Sequence, residues 1–261
     1  MNADARGTAT EVHVLSAGAV KGLVEALAPA LHAATGATLR GEFGAVGVIR
    51  EKWLAGARGD VIILTDAMLA AMASEGRVDA ATVAPLGRVR TGVAVRAGEP
   101  LPDIGDRDGL RRTLLAAAAV YLPDTQRSTA GRHCVTVLHA LGIHDDVMAR
   151  VRAFPNGAIA MRELAQSGEP GCVGCTQITE IRYTPGVALV GPLPAEFELA
   201  TVYSAAVATA AQAQVAALQF VQLLTAPASR ELRRSGGFEP WWPAAGPAVV
   251  SSAVEARTLR E

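Results

Sequence analysis

The stretch VHVLSAGAVKGLVEALAPALHAATGATLRGEFGAVGV, residues 12–48, decides the fold. Residues 12–15 read as a short strand, 16–19 as a turn of small residues, and 20–35 as an amphipathic helix. Gly36 stands where a left-handed C-terminal cap belongs. The unit then repeats: strand at 38–43, small-residue turn at 44–47, helix from 48 to about 55. Residues 60–64 (DVIIL) form an apolar run suited to a strand covered on both faces, and a helix is expected over 66–75. Strand alternating with helix at this spacing predicts an α/β protein with a parallel sheet.

Working outward, the character changes near Pro85. Further strands are expected at 89–96, 118–122, 151–154, 171–176, 187–190 and 201–208. Helices are expected at 108–117, 132–141, 158–167 and 212–224. In open α/β sheets, ligands sit beyond the carboxyl ends of strands, where helix N-termini expose unpaired N–H groups. Four strand-to-helix turns qualify: Ser16-Ala17-Gly18-Ala19, Gly44-Ala45-Val46-Gly47, Arg127-Ser128-Thr129-Ala130-Gly131 and Asn156-Gly157-Ala158. Any one could be an ordinary turn. Four together point to an anion site built largely from backbone donors.

Composition sets the outer bounds. The chain has 261 residues, 50% hydrophobic, 19% charged and 4% aromatic, and 24 Lys and Arg against 25 Asp and Glu give a net charge of -1. That balance excludes a strongly basic nucleic-acid binder, and the apolar content excludes disorder. Only Lys21 and Lys52 are lysines, so cationic contacts fall to arginine. No run of 18 apolar residues is present, so no membrane-embedded segment is expected. The first ten residues contain no secretory signal pattern. The protein is expected in the periplasm if a signal was removed from this chain, and in the cytoplasm if Met1 is native. Cys172 and Cys175 form a CxxC that would suit a redox pair or half a zinc site. With no second CxxC and a β-like setting, the favoured expectation is buried, quiet cysteines, with no metal and no cofactor.

The motifs VLSAGAV (14–20), GEFGAVG (41–47), GDVIILTD (59–66) and PDTQRSTAG (123–131) resemble those of the molybdate-type solute-binding proteins of ABC transporters. The resemblance continues through GCVGCTQITEI (171–181), PGVALVGPLP (185–194), TVYSA (201–205), LTAPAS (224–229) and GFEP (237–240). It implies a type II periplasmic-binding fold: two α/β lobes, each a mostly parallel sheet flanked by helices, joined by two crossover strands. Lobe 1 would comprise 10–88 and 201–247, lobe 2 would comprise 89–200, and 248–261 would be a tail. Crossovers are expected near 89–95 and 199–205, with hinge closure on a small anionic ligand. The implied partner is an ABC-transporter permease.

Departures from that pattern refine the expected ligand. Molybdate binders of the family carry serines in the first two turns and a tyrosine on a late strand. Here those turns hold Ala19 and Ala45-Val46-Gly47, and the tyrosine position falls near Gly174. Losing several charge-assisted donors, each worth roughly 1.5–3 kcal/mol, argues against molybdate. Arg127 and Arg132 could instead clamp an organic carboxylate, beside Ser16, Ser128, Thr129, Thr176 and Gln177. A related branch, sharing the late Gln-x-x-Glu pattern, resembles aconitate isomerase. That chemistry needs a base for a proton α to a carboxylate, with His133 and Glu180 as candidates. Trp241 and Trp242 are expected to pack a C-terminal extension back on lobe 1.

Overall fold

A computed structural model describes residues 10–241. The first β-α units are β1 (Glu11–Ala17) with α1 (Lys21–Thr35), β2 (Thr38–Gly44) with α2 (Val46–Leu54), and β3 (Val61–Thr65) with α3 (Asp66–Ser74). They are followed by the long β4 (Ala84–Arg96), α4 (Arg107–Ala116), β5 (Val120–Pro123), α5 (Thr129–Ala140), the short α6 (His144–Met148), β6 (Val151–Phe154) and α7 (Gly157–Ala165). The chain ends with β7 (Val173–Gln177), α8 (Ile178–Tyr183), β8 (Val187–Pro192), β9 (Ala200–Val207), α9 (Gln214–Thr225) and α10 (Arg230–Gly236). Residues 242–247, assigned from sequence to lobe 1, the expected tail 248–261 and Trp242 lie outside the described residues.

The strands form one curled mixed sheet in the order β2-β1-β3-β9-β4-β7-β5-β6, with β8 also on β4. β1 lies parallel to β2 and β3, and β5 parallel to β6 and β7. Every pairing made by β4 or β9 is antiparallel. The first half of β4, from Ala84 to Arg90, pairs with β9, and its second half, from Thr91 to Arg96, pairs with β7 and β8. Burial divides in the same way. One apolar cluster runs from Val12 to Val89 and from Tyr203 to Phe238. Two others, on opposite faces of β7 and β5, lie between Val93 and Phe197.

Local chemistry explains the element ends. Gly36 takes φ 72° and its N–H bonds the His32 carbonyl, closing α1 as expected. α5 begins at Thr129, three residues earlier than its apolar spacing suggested, because Ser128 Oγ accepts the Gly131 N–H. Asn156 caps α7 in the same way through Ile159 N–H. α8 was not foreseen: at six residues it is too short to show a helical period. β4 is longer than expected because Gly87, at φ 142°, lets the chain pass Pro85 with a register shift. A side chain at Gly87 would lie 2.8 Å from the Glu239 carbonyl, which bonds Arg88 N–H across an isolated bridge.

Asp60, buried just before β3, ties three segments together. Its carboxylate accepts from the N–H groups of His13 at 2.9 Å, Gln212 at 2.6 Å and Ala213 at 3.1 Å. Among the described residues, no helix is long and apolar enough to cross a membrane.

Candidate functional site

The four small-residue turns converge. Ala17, Gly18 and Ala19 from the end of β1, Gly44, Ala45 and Val46 from the β2–α2 turn, Ser128, Thr129 and Ala130 from the start of α5, and Asn156 and Gly157 from the start of α7 line one cavity. Gln177, Glu180 and Tyr203 complete it. The free space is about 20 Å³, room for a single water. Gly18 faces Glu180 Oε1, at 2.7 Å from where a Cβ would stand, and Gly47 approaches the Arg127 carbonyl to 3.1 Å by the same measure.

Helix N-termini face this space. Ala45 gives α2 no side-chain cap, so its first N–H groups remain open to the cleft. α5 and α7 spend one N–H each on the Ser128 and Asn156 caps. At α7 the N-terminus already has an anion: the side chain of Glu180. That carboxyl is 6% exposed and accepts a 2.6 Å hydrogen bond from Thr176 Oγ1. It also accepts from the backbone N–H groups of Ala158, Gln177 and Gly157. Burial pushes the Glu180 carboxyl above the ordinary carboxylate range, and these four hydrogen bonds pull it only part of the way back. The phenol of Tyr203, 2% exposed, is driven well up by burial and then by the Glu180 charge.

Packing around Glu180 explains the glycines at 18 and 157. A Cβ on Gly157 would stand 2.0 Å from Glu180 Oε2 and 2.1 Å from Thr176 Oγ1. Glu180 thus fills the space where side chains at 18 and 157 would project, so glycine at these two positions is a packing requirement. Position 174, where the resemblance places a tyrosine, faces α7 instead of the cleft. A Cβ there would meet Met161 Cε at 2.4 Å and Leu164 Cδ2 at 2.9 Å.

Several expected residues are not brought to the cavity. Ser16 is fully buried, its hydroxyl donating to the Ala17 carbonyl, because strand alternation turns it into the sheet. Arg127 points outward and pairs with Glu51 at 3.3 Å, with 54% of its side chain exposed. Arg132, also exposed, donates to the Gln126 carbonyl. Neither arginine lines this cavity: a long cationic side chain at a helix start gains solvation by turning outward. His133 is also corrected. Its Nε2 lies 2.8 Å from the Phe197 carbonyl, on the face of α5 turned toward the 195–197 turn and away from the lining residues. Thr176 and Ala158 act through Glu180. Gln177 is held by Thr201, with its Nε2 3.4 Å from Thr201 Oγ1, while its Oε1 is buried without a protein partner among the described residues. One end of this amide is therefore free for a ligand, the O and N assignment being interchangeable.

Tyr203 was missed. It lies within the TVYSA motif, but on a strand its burial reads as core, and only pairing of β9 with β3 and β4 brings it under the cavity. Cys172 and Cys175 are both buried, as expected, and pack in different apolar clusters.

A profile of the bacterial extracellular solute-binding proteins matches residues 12–239. The chain belongs to this family. As a solute-binding protein it shares its fold with the periplasmic molybdate-binding protein of Azotobacter vinelandii, at TM-score 0.71 and 18% identity over 88% of this chain and 100% of that one. The sulfate-binding protein of Mycobacterium tuberculosis superposes with TM-score 0.67 and 20% identity, over 90% of this chain and 88% of that one. Among curated proteins, the aconitate isomerase of a Pseudomonas species is 28% identical over 240 residues, covering 88% of each chain.

Proposed function

We propose that this solute-binding protein closes on a small organic carboxylate in the cavity around Glu180 and serves as the ligand-capturing partner of an ABC-transporter permease. One observation carries the ligand class: the cavity holds a buried carboxyl group and no basic side chain among its lining residues. A fully ionised inorganic oxyanion would meet the Glu180 carboxylate with no cationic side chain among the described lining residues to offset the two charges. Two unit charges about 4 Å apart at an effective dielectric of 20 repel by about 4 kcal/mol. An organic acid escapes that cost by sharing a proton with Glu180, forming an acid–carboxylate hydrogen bond. Its remaining oxygens accept from the helix N-termini at Ala45 and Thr129 and from the Gln177 amide.

Admission requires opening, because a cavity of about 20 Å³ holds no carboxylate. We place the hinge in β4 and β9, so that residues 10–88 with 201–241 form one lobe and 89–200 the other. The pairing of β4 first with β9 and then with β7 and β8 supports that division.

A second reading has its own support. A carboxyl group raised by burial, held in a water-poor cleft beside a tyrosine, suits a general base. In an aconitate isomerase-like reaction, Glu180 would take a proton from the ligand carbon next to a carboxylate. Helix N-termini would hold the developing charge, and Glu180 would return the proton at the far end of the allylic system. The 28% identity to an aconitate isomerase favours this chemistry as the alternative to transport.

A thermal-shift series with molybdate, sulfate, malonate, citrate and trans-aconitate separates the readings. A ligand at a hundredfold excess over its Kd adds about 2.7 kcal/mol of stability. Stabilisation by carboxylates supports the proposal, and stabilisation by molybdate or sulfate alone overturns it. NMR of trans-aconitate with the protein then decides between carrier and isomerase, since an unchanged spectrum excludes turnover.

A further inference from the structure

We propose that Cys134 and Cys175 form a disulfide that pins the first turns of α5 to β7. The sequence draws attention to Cys172 and Cys175, but these cannot bond. Three positions apart along an extended chain, they point to opposite faces. Cys172 packs with Tyr121, Met161 and Leu164, whereas Cys175 packs with Val93, Leu122 and Cys134. Across that second face the Cys134 and Cys175 sulfurs stand 2.7 Å apart, within about 0.7 Å of the ~2.05 Å disulfide bond. A small apolar cavity of about 20 Å³ opens beside both sulfurs, lined also by Val93, Leu114 and Leu193. It gives the side chains room to rotate into bonding geometry without displacing their neighbours.

The family is extracellular, the setting in which disulfides form and persist. In the reaction, Cys134 and Cys175 each lose a proton and together two electrons, and an S–S bond forms between them. A disulfide donor, such as oxidised glutathione or a thiol–disulfide oxidoreductase, is cleaved to two thiols that take up both. The reacting species is a thiolate. In the folded chain the neighbouring Cys175 thiol and burial hold the Cys134 thiol well above its ordinary range, and both sulfurs are buried. Bond formation therefore belongs to the folding chain, before the core closes. Cys172, buried beside Ser167, is left as the single thiol.

The position gives the bond a consequence at the cleft. Cys134 lies one and a half turns from Thr129 on α5, and Cys175 lies two residues from Gln177 on β7, so the two cavity walls share the link. The test is an intact-mass thiol count on protein folded with oxidised glutathione, denatured without reductant and alkylated with iodoacetamide. One alkyl group on Cys172 and a linked peptide joining Cys134 to Cys175 are expected, rising to three groups after reduction. Three alkyl groups without reduction, or a Cys172–Cys175 link, overturn the proposal. Reduction is also expected to lower the melting temperature of the wild type by roughly 10 °C. It should do the same in C172S and have no effect in C134S. Equal sensitivity in C134S refutes the assignment, and if C134S does not fold, the wild-type thiol count decides alone.

Discussion

Replacing Glu180 with glutamine removes the one carboxyl group among the described residues that line the cavity while keeping the side chain's volume. The carboxyl sits between Gly18 and Gly157, so a ligand oxygen that enters the cavity lies against it. With both groups ionised, the ~4 kcal/mol repulsion at about 4 Å corresponds to roughly a thousandfold loss of affinity. In the wild type that loss is avoided by taking up a proton. Binding of citrate should therefore consume protons at pH 7, and affinity should fall as pH rises, up to tenfold per pH unit. In E180Q the side chain cannot ionise, so this component of the pH dependence should vanish. Stability follows a matching sign. Because burial raises the folded-state pKa of Glu180 above its unfolded value, the folded chain binds more protons between the two values. The favourable contribution is fully present below the unfolded pKa and is lost as pH rises through the folded one, a slope that E180Q should lack. Calorimetric titration in buffers of different ionisation enthalpy, from pH 5 to 8, measures proton uptake directly. No uptake by the wild type, together with superimposable pH profiles for wild type and E180Q, would refute the reasoning.

Other perturbations test the remaining assignments. Tyr203→Phe should leave the melting temperature within a few degrees but weaken the carboxylate ligand about 10- to 150-fold, the worth of one hydrogen bond to a charged group; unchanged affinity would remove Tyr203 from the site. Arg127→Ala should change affinity by less than about fivefold, because the guanidinium is exposed on Glu51 and such pairs contribute about 0–1 kcal/mol. A hundredfold loss would return Arg127 to the ligand. Gly131→Ala puts a Cβ 2.2 Å from the Asp124 carbonyl oxygen and 2.6 Å from that of Pro123, both backbone atoms. It should cost about 3 kcal/mol or more, seen as a lowered denaturation midpoint. Asp60→Ala leaves three N–H groups without their acceptor and should cost about 3 kcal/mol by the same assay, with Asp60→Asn recovering part. A loss under 1 kcal/mol would mean that water replaces the carboxylate.

Much of this architecture is written locally. The alternation from Val12 to Thr65, the glycine after α1 and the small-residue turns depend on neighbours within a few positions, so periodicity and capping rules located them. Lining by Gly18, Ala45, Thr129 and Gly157 also followed, since any strand-to-helix turn in such a sheet points its N–H groups beyond the strand ends. The contents of the cavity did not follow. Arg127 and His133 are chemically plausible ligands that the fold turns outward or spends on Phe197, while Tyr203 enters only through antiparallel pairing with strands distant in sequence. Glu180 was legible as a candidate, but its burial against Gly18 and Gly157, and the raised carboxyl pKa that results, come from two turns more than 130 residues apart meeting over one side chain. Backbone donors are specified by local sequence. Desolvation, ion pairing and the 2.7 Å approach of Cys134 to Cys175 are specified by what else arrives in the same space, and that only the tertiary packing decides.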